Sequence, residues 1–188
     1  MQNHIYDVDD DIVIRTARVD DARMITKYFC HNKEFLRPWE PQREPGFFEH
    51  KGWTQKLMKL EELRQLGLGY YILILDMPSN QMLGTISFSQ MTRFPLYGCF
   101  VGYSLAEDAQ GKGVMTRALK MACRYMFQVQ KLHRISATYM PFNHRSEAVL
   151  KRVGFEYEGT AKDYLLINGK WQDHHITSLI NQDWEAGS

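Results

Sequence analysis

The stretch that determines the fold is Ala-Gln-Gly-Lys-Gly-Val-Met-Thr, residues 109–116. It follows an apolar, strand-like run at residues 99–105, and one residue separates its two glycines. Beyond it, apolar residues recur at the three- and four-residue spacing of a helix face: Met115, Ala118, Leu119, Ala122, Tyr125, Met126 and Val129. The pattern therefore predicts a short glycine turn between a strand and the first turn of a helix.

A glycine turn at this position can bind an anion. The first backbone N–H groups of a helix have no partner within the helix, and the helix dipole adds partial positive charge there. Glycines let a ligand approach these groups closely, and the anion bound at such a site is most often phosphate. Two glycines alone are equally compatible with a turn that binds nothing. The dinucleotide fingerprint needs a third glycine where Thr116 stands, and the P-loop spacing is absent.

Composition bounds the class of protein. The 188 residues suffice for one domain, and 44% hydrophobic and 24% charged residues are ordinary for a globular chain. A net charge of +1 argues against a dedicated nucleic-acid-binding protein. The three cysteines form no C-x-x-C pair, which indicates neither a disulfide framework nor zinc. No apolar run approaches the ~18 residues of a membrane span. We expect a cytoplasmic protein without a metal or membrane contact.

Periodicity divides the chain into seven strands and four helices. The strands are expected near residues 12–15, 70–75, 82–88, 96–105, 134–140, 164–167 and 171–180, and the helices near 20–29, 49–66, 115–129 and 143–153. Asn168 and Gly169 predict a tight hairpin turn. The acidic residues 1–11 are expected to be loosely ordered, so the domain should span 12–184. The order of elements predicts one α/β (α+β) domain around a mixed, twisted central sheet.

The stretch at residues 35–46 contains three prolines within eight positions, which excludes a long helix. Because this loop carries Trp39, Glu40 and Arg43, it is a plausible binding surface. A proline-stiffened connector in which Trp39 simply packs is equally compatible with the pattern.

Two motifs resemble the GNAT superfamily of acetyl-CoA-dependent N-acetyltransferases. One is Gln110-x-x-Gly113-x-Met115, the pyrophosphate loop, although the family has a small residue in the place of Met115. The other is Asn-x-x-Ser at residues 143–146, followed by Gly-Phe at 154–155. The resemblance implies the GNAT fold, whose sheet splays at the fourth and fifth strands, and acetyl-CoA as the cosubstrate.

Longer stretches resemble the RimJ-type ribosomal-protein alanine N-acetyltransferases across residues 12–184. They are Phe-Leu-x-Pro-Trp-Glu-Pro at 35–41, Leu-His-Arg-Ile at 132–135, Tyr-Met-Pro at 139–141, the run at 158–167 and Asp-Trp at 183–184. The resemblance implies transfer of an acetyl group to the N-terminal alanine of a small-subunit ribosomal protein, with the ribosome during assembly as a further partner. The alternatives are acetylation of a small amine, such as a polyamine or an antibiotic, and a non-catalytic CoA-binding role in ribosome assembly.

The same resemblance implies which residues bind the cosubstrate. Backbone groups at Tyr103, Ser104 and Leu105 would hold the pantetheine arm and polarise the thioester carbonyl. Asn143 and Ser146 would face that arm. The pyrophosphate would lie on Gln110, Gly111, Lys112, Gly113, Val114, Met115 and Thr116.

Direct attack by an amine needs little base strength. An α-amino group has a reference pKa of about 7.7–8.0, against about 10.4 for lysine. At neutral pH roughly a tenth or more of a terminal amine is therefore already uncharged. Ser146 is the first candidate for the hydroxyl that protonates the departing sulfur. The candidates for the base are Asp163, Glu40 and Glu34, and those for contact with the acceptor are Trp39, Glu40 and Tyr164. His174 and His175 are adjacent on a strand and point to opposite faces, which disfavours a shared metal.

Overall fold

The computed structural model describes residues 4–185, which form one eight-stranded sheet in the order β1-β2-β3-β4-β5-β6-β8-β7. Neighbouring strands are antiparallel except β5 and β6, which are parallel, so the sheet is mixed as predicted. The strands are β1 (Tyr6–Asp9), β2 (Ile12–Thr16), β3 (Tyr70–Asp76), β4 (Met82–Thr92), β5 (Gly98–Leu105), β6 (Arg134–Tyr139), β7 (Glu156–Ile167) and β8 (Lys170–Ile180).

Five α-helices flank the sheet, and within residues 4–185 none is long and apolar enough to cross a bilayer. They are α1 (Ala22–His31), α2 (Lys33–Leu36), α3 (His50–Gln65), α4 (Val114–Gln128) and α5 (His144–Val153). The four predicted helices are all present, and the short α2 is additional. It ends directly before a 3-10 turn at Arg37–Trp39, because Pro38 can start a helical turn but cannot continue α2.

The expectation that residues 1–11 are loosely ordered is wrong for the segment Tyr6–Asp9, which is strand β1 (residues 1–3 lie outside the described range). Two contacts explain the difference. Ile5 is buried in the core, and acidic side chains of this segment reach arginines of α4. Arg124 binds the Asp7 carboxylate at 2.7 Å, and Arg117 binds that of Asp11 at 2.8 Å.

The sheet splays between β5 and β6. The two strands pair only from Gly98 opposite Arg134 to Val101 opposite Ala137, while β5 continues to Leu105. On its other edge β5 stays paired with β4 as far as Leu105, so the strand remains anchored on that side. The backbone of residues 102–105 therefore has no partner strand on the β6 side, and a wedge-shaped opening results.

The core holds the helices in two pairs, α1 with α3 and α4 with α5. Between α1 and α3, the rings of Phe29 and Trp53 stack with their centroids 5.3 Å apart. Both side chains are buried together with the apolar face of β3. This packing fixes α1, and with it the loop that follows α1, against the open side of β5.

The last hairpin forms as predicted. Asn168 and Gly169 both have positive φ, 46° and 79°, the conformation that a two-residue type I′ turn requires. The turn sends β8 back between β6 and β7, so that β7 is the edge strand. This places the end of β7 beside the proline loop, where the Asn168 amide donates to the Glu40 carbonyl at 3.1 Å.

Candidate active site

A cavity of about 830 Å³ lies at the splay. Its walls are the end of β5, the N-termini of α4 and α5, the end of β6, the loop carrying Trp39 and Glu40, and the end of β7. The sequence predicts fourteen residues of these elements for cosubstrate contact, acceptor contact or catalysis, and three more elsewhere: Glu34 in α2, and Asp163 and Tyr164 in the middle of β7. Thirteen of them line this one cavity: Trp39, Glu40, Tyr103, Ser104, Leu105, Gln110, Gly111, Gly113, Val114, Met115, Thr116, Asn143 and Ser146.

The glycine loop presents open backbone amides. Gly111 and Gly113 have φ values of 73° and 72°, and a β-carbon built on either would meet nothing within 4 Å. The first α4 hydrogen bond is donated by Arg117 to the Gly113 carbonyl, so among residues 4–185 the amides of 111–116 have no backbone acceptor. The Thr116 hydroxyl is buried and also lacks a partner there. Such a row of donors at a helix N-terminus matches an anion with several oxygens.

Side chains of the loop hold its shape. The Gln110 amide donates to the Leu105 carbonyl at 3.1 Å, which ties the loop to the end of β5. Val114 and Met115 are buried, so Met115 fills the core at the position where the resembling family has a small residue. Lys112 is the exception among the predicted residues of this loop. Its ammonium donates to the Asp108 carbonyl at 2.9 Å, and it does not line the cavity.

Two hydroxyl groups meet across the cavity. The Tyr103 hydroxyl on β5 lies 2.7 Å from the Ser146 Oγ on α5, although 43 residues separate them. Burial raises the pKa of Tyr103, and the bond to Ser146 opposes that shift, so the phenol stays protonated. Asn143 caps α5, because its side-chain oxygen accepts from the Ser146 amide at 3.2 Å. Sequence reasoning named Tyr103 only for its backbone and missed this pairing.

A second hydroxyl cluster lies beneath the cavity floor. The Ser104 Oγ is 2.9 Å from the Tyr28 hydroxyl and 3.2 Å from the Thr85 Oγ1. Burial raises the pKa of Tyr28. The cluster joins α1, β4 and β5, and no local sequence signal marks it, since Tyr28 reads as one more apolar position of α1.

The acceptor side of the cavity is built by the proline loop. The Trp39 ring, which lines the cavity, faces the Phe142 ring with centroids 5.8 Å apart. The Glu40 carboxylate is largely buried and lies 3.4 Å from the Arg43 Nε. Burial raises the pKa of Glu40, while Arg43 and Lys56 lower it. The carboxylate is therefore available both as an ion-pairing group and as a proton acceptor.

The other two candidate carboxylates lie elsewhere. Asp163 is exposed with φ of 45°, in a bulge of β7 between Ala161 and Leu165, and its amide donates to Asp173 at 2.9 Å. The bulge breaks the strand's alternation, so Leu165 and Ile167 line the cavity while Asp163 and Tyr164 do not. Glu34 is exposed and pairs with Arg37 at 3.1 Å.

Nothing in residues 4–185 groups three or more potential metal ligands. His174 and His175 bind separate partners, the Gln172 carbonyl at 3.0 Å and the Thr160 hydroxyl at 2.7 Å. Burial raises the pKa of the Cys99 thiol to about 12 and that of Cys123 further, so neither thiol is a nucleophile at neutral pH.

Comparison with known proteins agrees with this geometry. The family model described as an acetyltransferase (GNAT) domain matches residues 11–156. The [ribosomal protein uS5]-alanine N-acetyltransferase of Escherichia coli (strain K12) is 42% identical over 178 residues, which cover 95% of this chain and 92% of that protein.

Solved structures show the same architecture. The ribosomal-protein-S5-alanine acetyltransferase from Vibrio fischeri matches with a TM-score of 0.94 and 44% identity, over 96% of this chain and 99% of that one. Mycobacterium smegmatis RimJ in complex with CoA-disulfide matches with a TM-score of 0.86 and 28% identity, over 92% and 83% of the two chains.

Proposed function

The chain belongs to the acetyltransferase (GNAT) family, and we propose that it transfers an acetyl group from acetyl-CoA to the N-terminal alanine amine of ribosomal protein uS5. The observation that carries this proposal is a single cavity that joins a row of open amides to a pair of hydroxyls and a carboxylate. Relatives at 42% and 44% identity are named for acetylation of this alanine, which supports the choice of acceptor.

The residues fit acetyl-CoA. The free amides of 111–116 and the unpartnered Thr116 hydroxyl would hold the pyrophosphate, since they are donors with no internal acceptor. The unpaired edge of β5 would bind the amides of the pantetheine arm as an added strand does. Asn143 and Ser146 at the start of α5 would cover the arm from the other side. When bound, acetyl-CoA supplies an acetyl group activated as a thioester.

The protein contributes mainly position and polarity. Holding the amine and the thioester carbonyl in contact replaces a collision in solution with a reaction inside one cavity, and this can supply a large part of the acceleration. Among residues 103–105, the backbone N–H groups that point away from β4 into the splay would be oriented in advance and would stabilise negative charge that develops on the carbonyl oxygen.

Ser146 would protonate the sulfur that departs. Its Oγ lies 2.7 Å from the Tyr103 hydroxyl, so the phenol can pass a proton to the serine as the serine gives up its own. A thiol has a reference pKa of about 8.5, so a weak acid suffices for this step.

Glu40 would receive the acceptor amine. Its carboxylate lines the cavity and can accept a hydrogen bond from the terminal amine. It can then take up the proton that the amine loses, directly or through water. Trp39, at the mouth, would contact the first residues of the acceptor peptide.

Mass spectrometry tests the proposal with a peptide that copies the N-terminus of uS5. With acetyl-CoA present, the free-amine peptide should gain one acetyl group, located on its first residue by fragmentation. The same peptide with a blocked N-terminus, and the polyamine spermidine, serve as controls and should stay unmodified. Acetylation of spermidine but not of the peptide would contradict the proposal in favour of a small-amine acceptor.

The cellular setting follows from the acceptor. We place the enzyme in the cytoplasm, acting on newly made uS5 or on assembling small subunits, because the relatives at 42% and 44% identity are named for a ribosomal protein. Whether free uS5 or an assembly intermediate is preferred can be read from the acetylation rates of the two purified forms.

A further inference from the structure

An ammonium group is held on two aromatic rings, and one of these rings also contacts Arg43, the ion-pair partner of Glu40 in the cavity wall. The Lys56 Nζ, from α3, lies 4.6 Å from the centroid of the Trp53 ring and 5.0 Å from that of Phe47. The Arg43 guanidinium lies over the same Phe47 ring, 4.4 Å from its centroid. Cation–π contacts of this kind restrict a flexible side chain to one place.

These two cations are the charges that act on Glu40. Arg43 comes from its own loop and Lys56 from α3, and both favour the ionised carboxylate. The groups that face Glu40 from α1 and β3 are the phenols of Tyr28 and Tyr71, which burial keeps neutral. The cluster thus combines two positive charges with one negative charge.

This balance has a consequence for the acceptor. Burial and the neighbouring Arg43 lower the pKa of Lys56 to about 8, while Glu40 raises it, so at neutral pH most of the Lys56 population is charged. An incoming amine therefore meets one carboxylate backed by two cations. A charged ammonium is attracted by the carboxylate and repelled by the two cations, whereas a neutral amine interacts only weakly with these charges.

We propose that Lys56 is a specificity-determining residue: with Arg43 it gives the acceptor side an excess positive charge that selects α-amino groups over more basic amines. This inference rests on the proposed function. At about pH 7.5, roughly a third of a terminal α-amine is neutral, but only about one part in a thousand of a lysine-like amine. A site that disfavours the charged form therefore admits the first and rejects the second.

Two acceptor peptides whose terminal amines differ in basicity test this, when the ratio of their rates is compared between variants. One starts with alanine and the other with β-alanine, whose amine is more basic. Replacing Lys56 with methionine (K56M) should raise kcat/KM for the β-alanine peptide relative to the alanine peptide by about fivefold or more, since one repelling charge is gone. Lys56→Arg should keep the wild-type ratio. Lys59→Met, an exposed position on the same helix, is the matched control and should also keep it.

The pH dependence provides a second reading. As pH rises through about 8, Lys56 loses its charge, so the preference of the wild type for the alanine peptide should fall. The acceptor peptides titrate identically whichever variant is assayed. A larger fall in the preference for the alanine peptide in the wild type than in K56R is therefore due to the loss of charge on Lys56. Parallel profiles in the two proteins would overturn the inference.

A measurement without turnover separates this inference from the proposed function. NMR titration of the Glu40 side-chain carboxyl should give a higher midpoint in K56M than in the wild type or K59M. Failure of the wild type to acetylate either peptide would defeat the proposed function, and the Glu40 midpoint would still decide the role of Lys56. An unchanged Glu40 midpoint, or an unchanged peptide ratio in an active K56M, overturns the inference about Lys56.

Acetyl-CoA affinity serves to confirm that K56M is folded. Lys56→Gln replaces K56M in these experiments if K56M does not fold.

Discussion

The hydroxyl groups of Tyr103 and Ser146 lie 2.7 Å apart and join β5 to α5 across the cavity. The tyrosine hydroxyl also lies 3.3 Å from the Ser146 carbonyl oxygen, so it is fixed at two points. Because the serine amide is held by Asn143, the Ser146 hydroxyl has one well-defined position at the mouth of the splay. A hydroxyl oriented in this way is suited to donate a proton to a group that leaves from the β5 side.

We expect Ser146→Ala to lower kcat by about a hundredfold, the usual size of a general-acid contribution. The affinity for acetyl-CoA should change little, since the pyrophosphate amides are untouched. Stopped-flow turnover and calorimetric binding separate these two effects. Ser89→Ala, an exposed serine of β4, is the control.

Tyr103→Phe tests whether the two hydroxyls act together. If the phenol feeds its proton to the serine, the double variant should be only slightly slower than S146A, because removing the serine already breaks the relay. Full additivity of the two effects on kcat would mean that Tyr103 and Ser146 act independently.

The glycine loop should be intolerant of an acidic side chain. Gly113→Asp places a carboxylate beside the amides of 111–116 and forces a β-carbon into a positive φ, so acetyl-CoA binding should be lost. Gly67→Asp is a close match, since Gly67 has φ of 69° and open space around it but follows α3, away from the cavity. That control should show a similar loss of thermal stability with normal affinity. Retained affinity in G113D would move the pyrophosphate elsewhere.

Local chemistry explains which features could be predicted from sequence. The Asn168-Gly169 turn and the helix that starts after Gly113 depend on the residues that form them, and both are present. The expectation for residues 1–11 failed at β1 because Ile5 packs in the core and because Arg117 and Arg124, more than a hundred residues away, contact the segment. Short-range patterns carry no information about such partners.

The active site also contains some residues that the sequence could identify and others that it could not. Loop residues such as Gln110 and Gly113 could be found because a motif places them, and the cavity contains both. Asp163 lies outside it because a bulge in β7 changes which side chains face inward, and bulges depend on the pairing strand. The contact of Tyr28 with Ser104 spans 76 residues, and only the packed sheet brings the two together.

The cap of α5 should support both stability and turnover. Asn143→Ala removes the acceptor of the Ser146 amide, which we expect to lower the free energy of unfolding by about 1 kcal/mol. Turnover should fall as well, because the cap fixes the serine that donates the proton. Asn143→Asp keeps an acceptor oxygen and should restore most of the stability. Urea denaturation and parallel activity assays check this prediction. If N143A were as stable as the wild type but still slow in turnover, Asn143 would have a direct role with the cosubstrate.

A buried ion pair at the start of α1 should make stability depend on pH. Asp21 accepts two hydrogen bonds of 2.7 Å from Arg15 on β2 and a third of 2.7 Å from the Arg18 amide. Burial alone would raise the pKa of Asp21, but these donors outweigh it and the net pKa lies below the usual value. A lowered pKa in the folded state contributes stability above the unfolded value of about 3.9 and loses it as pH falls further.

We therefore expect Asp21→Asn to lower the free energy of unfolding by about 2 kcal/mol at neutral pH, the scale of charge-assisted hydrogen bonds. The difference from wild type should shrink when urea unfolding is repeated near pH 3, where the aspartate begins to be protonated. Asp7→Asn breaks the exposed pair with Arg124 and should change stability by less than about 0.5 kcal/mol. Equal effects of the two substitutions at both pH values would show that the Arg15–Asp21 pair does not anchor α1, and with it Tyr28 beneath the active site.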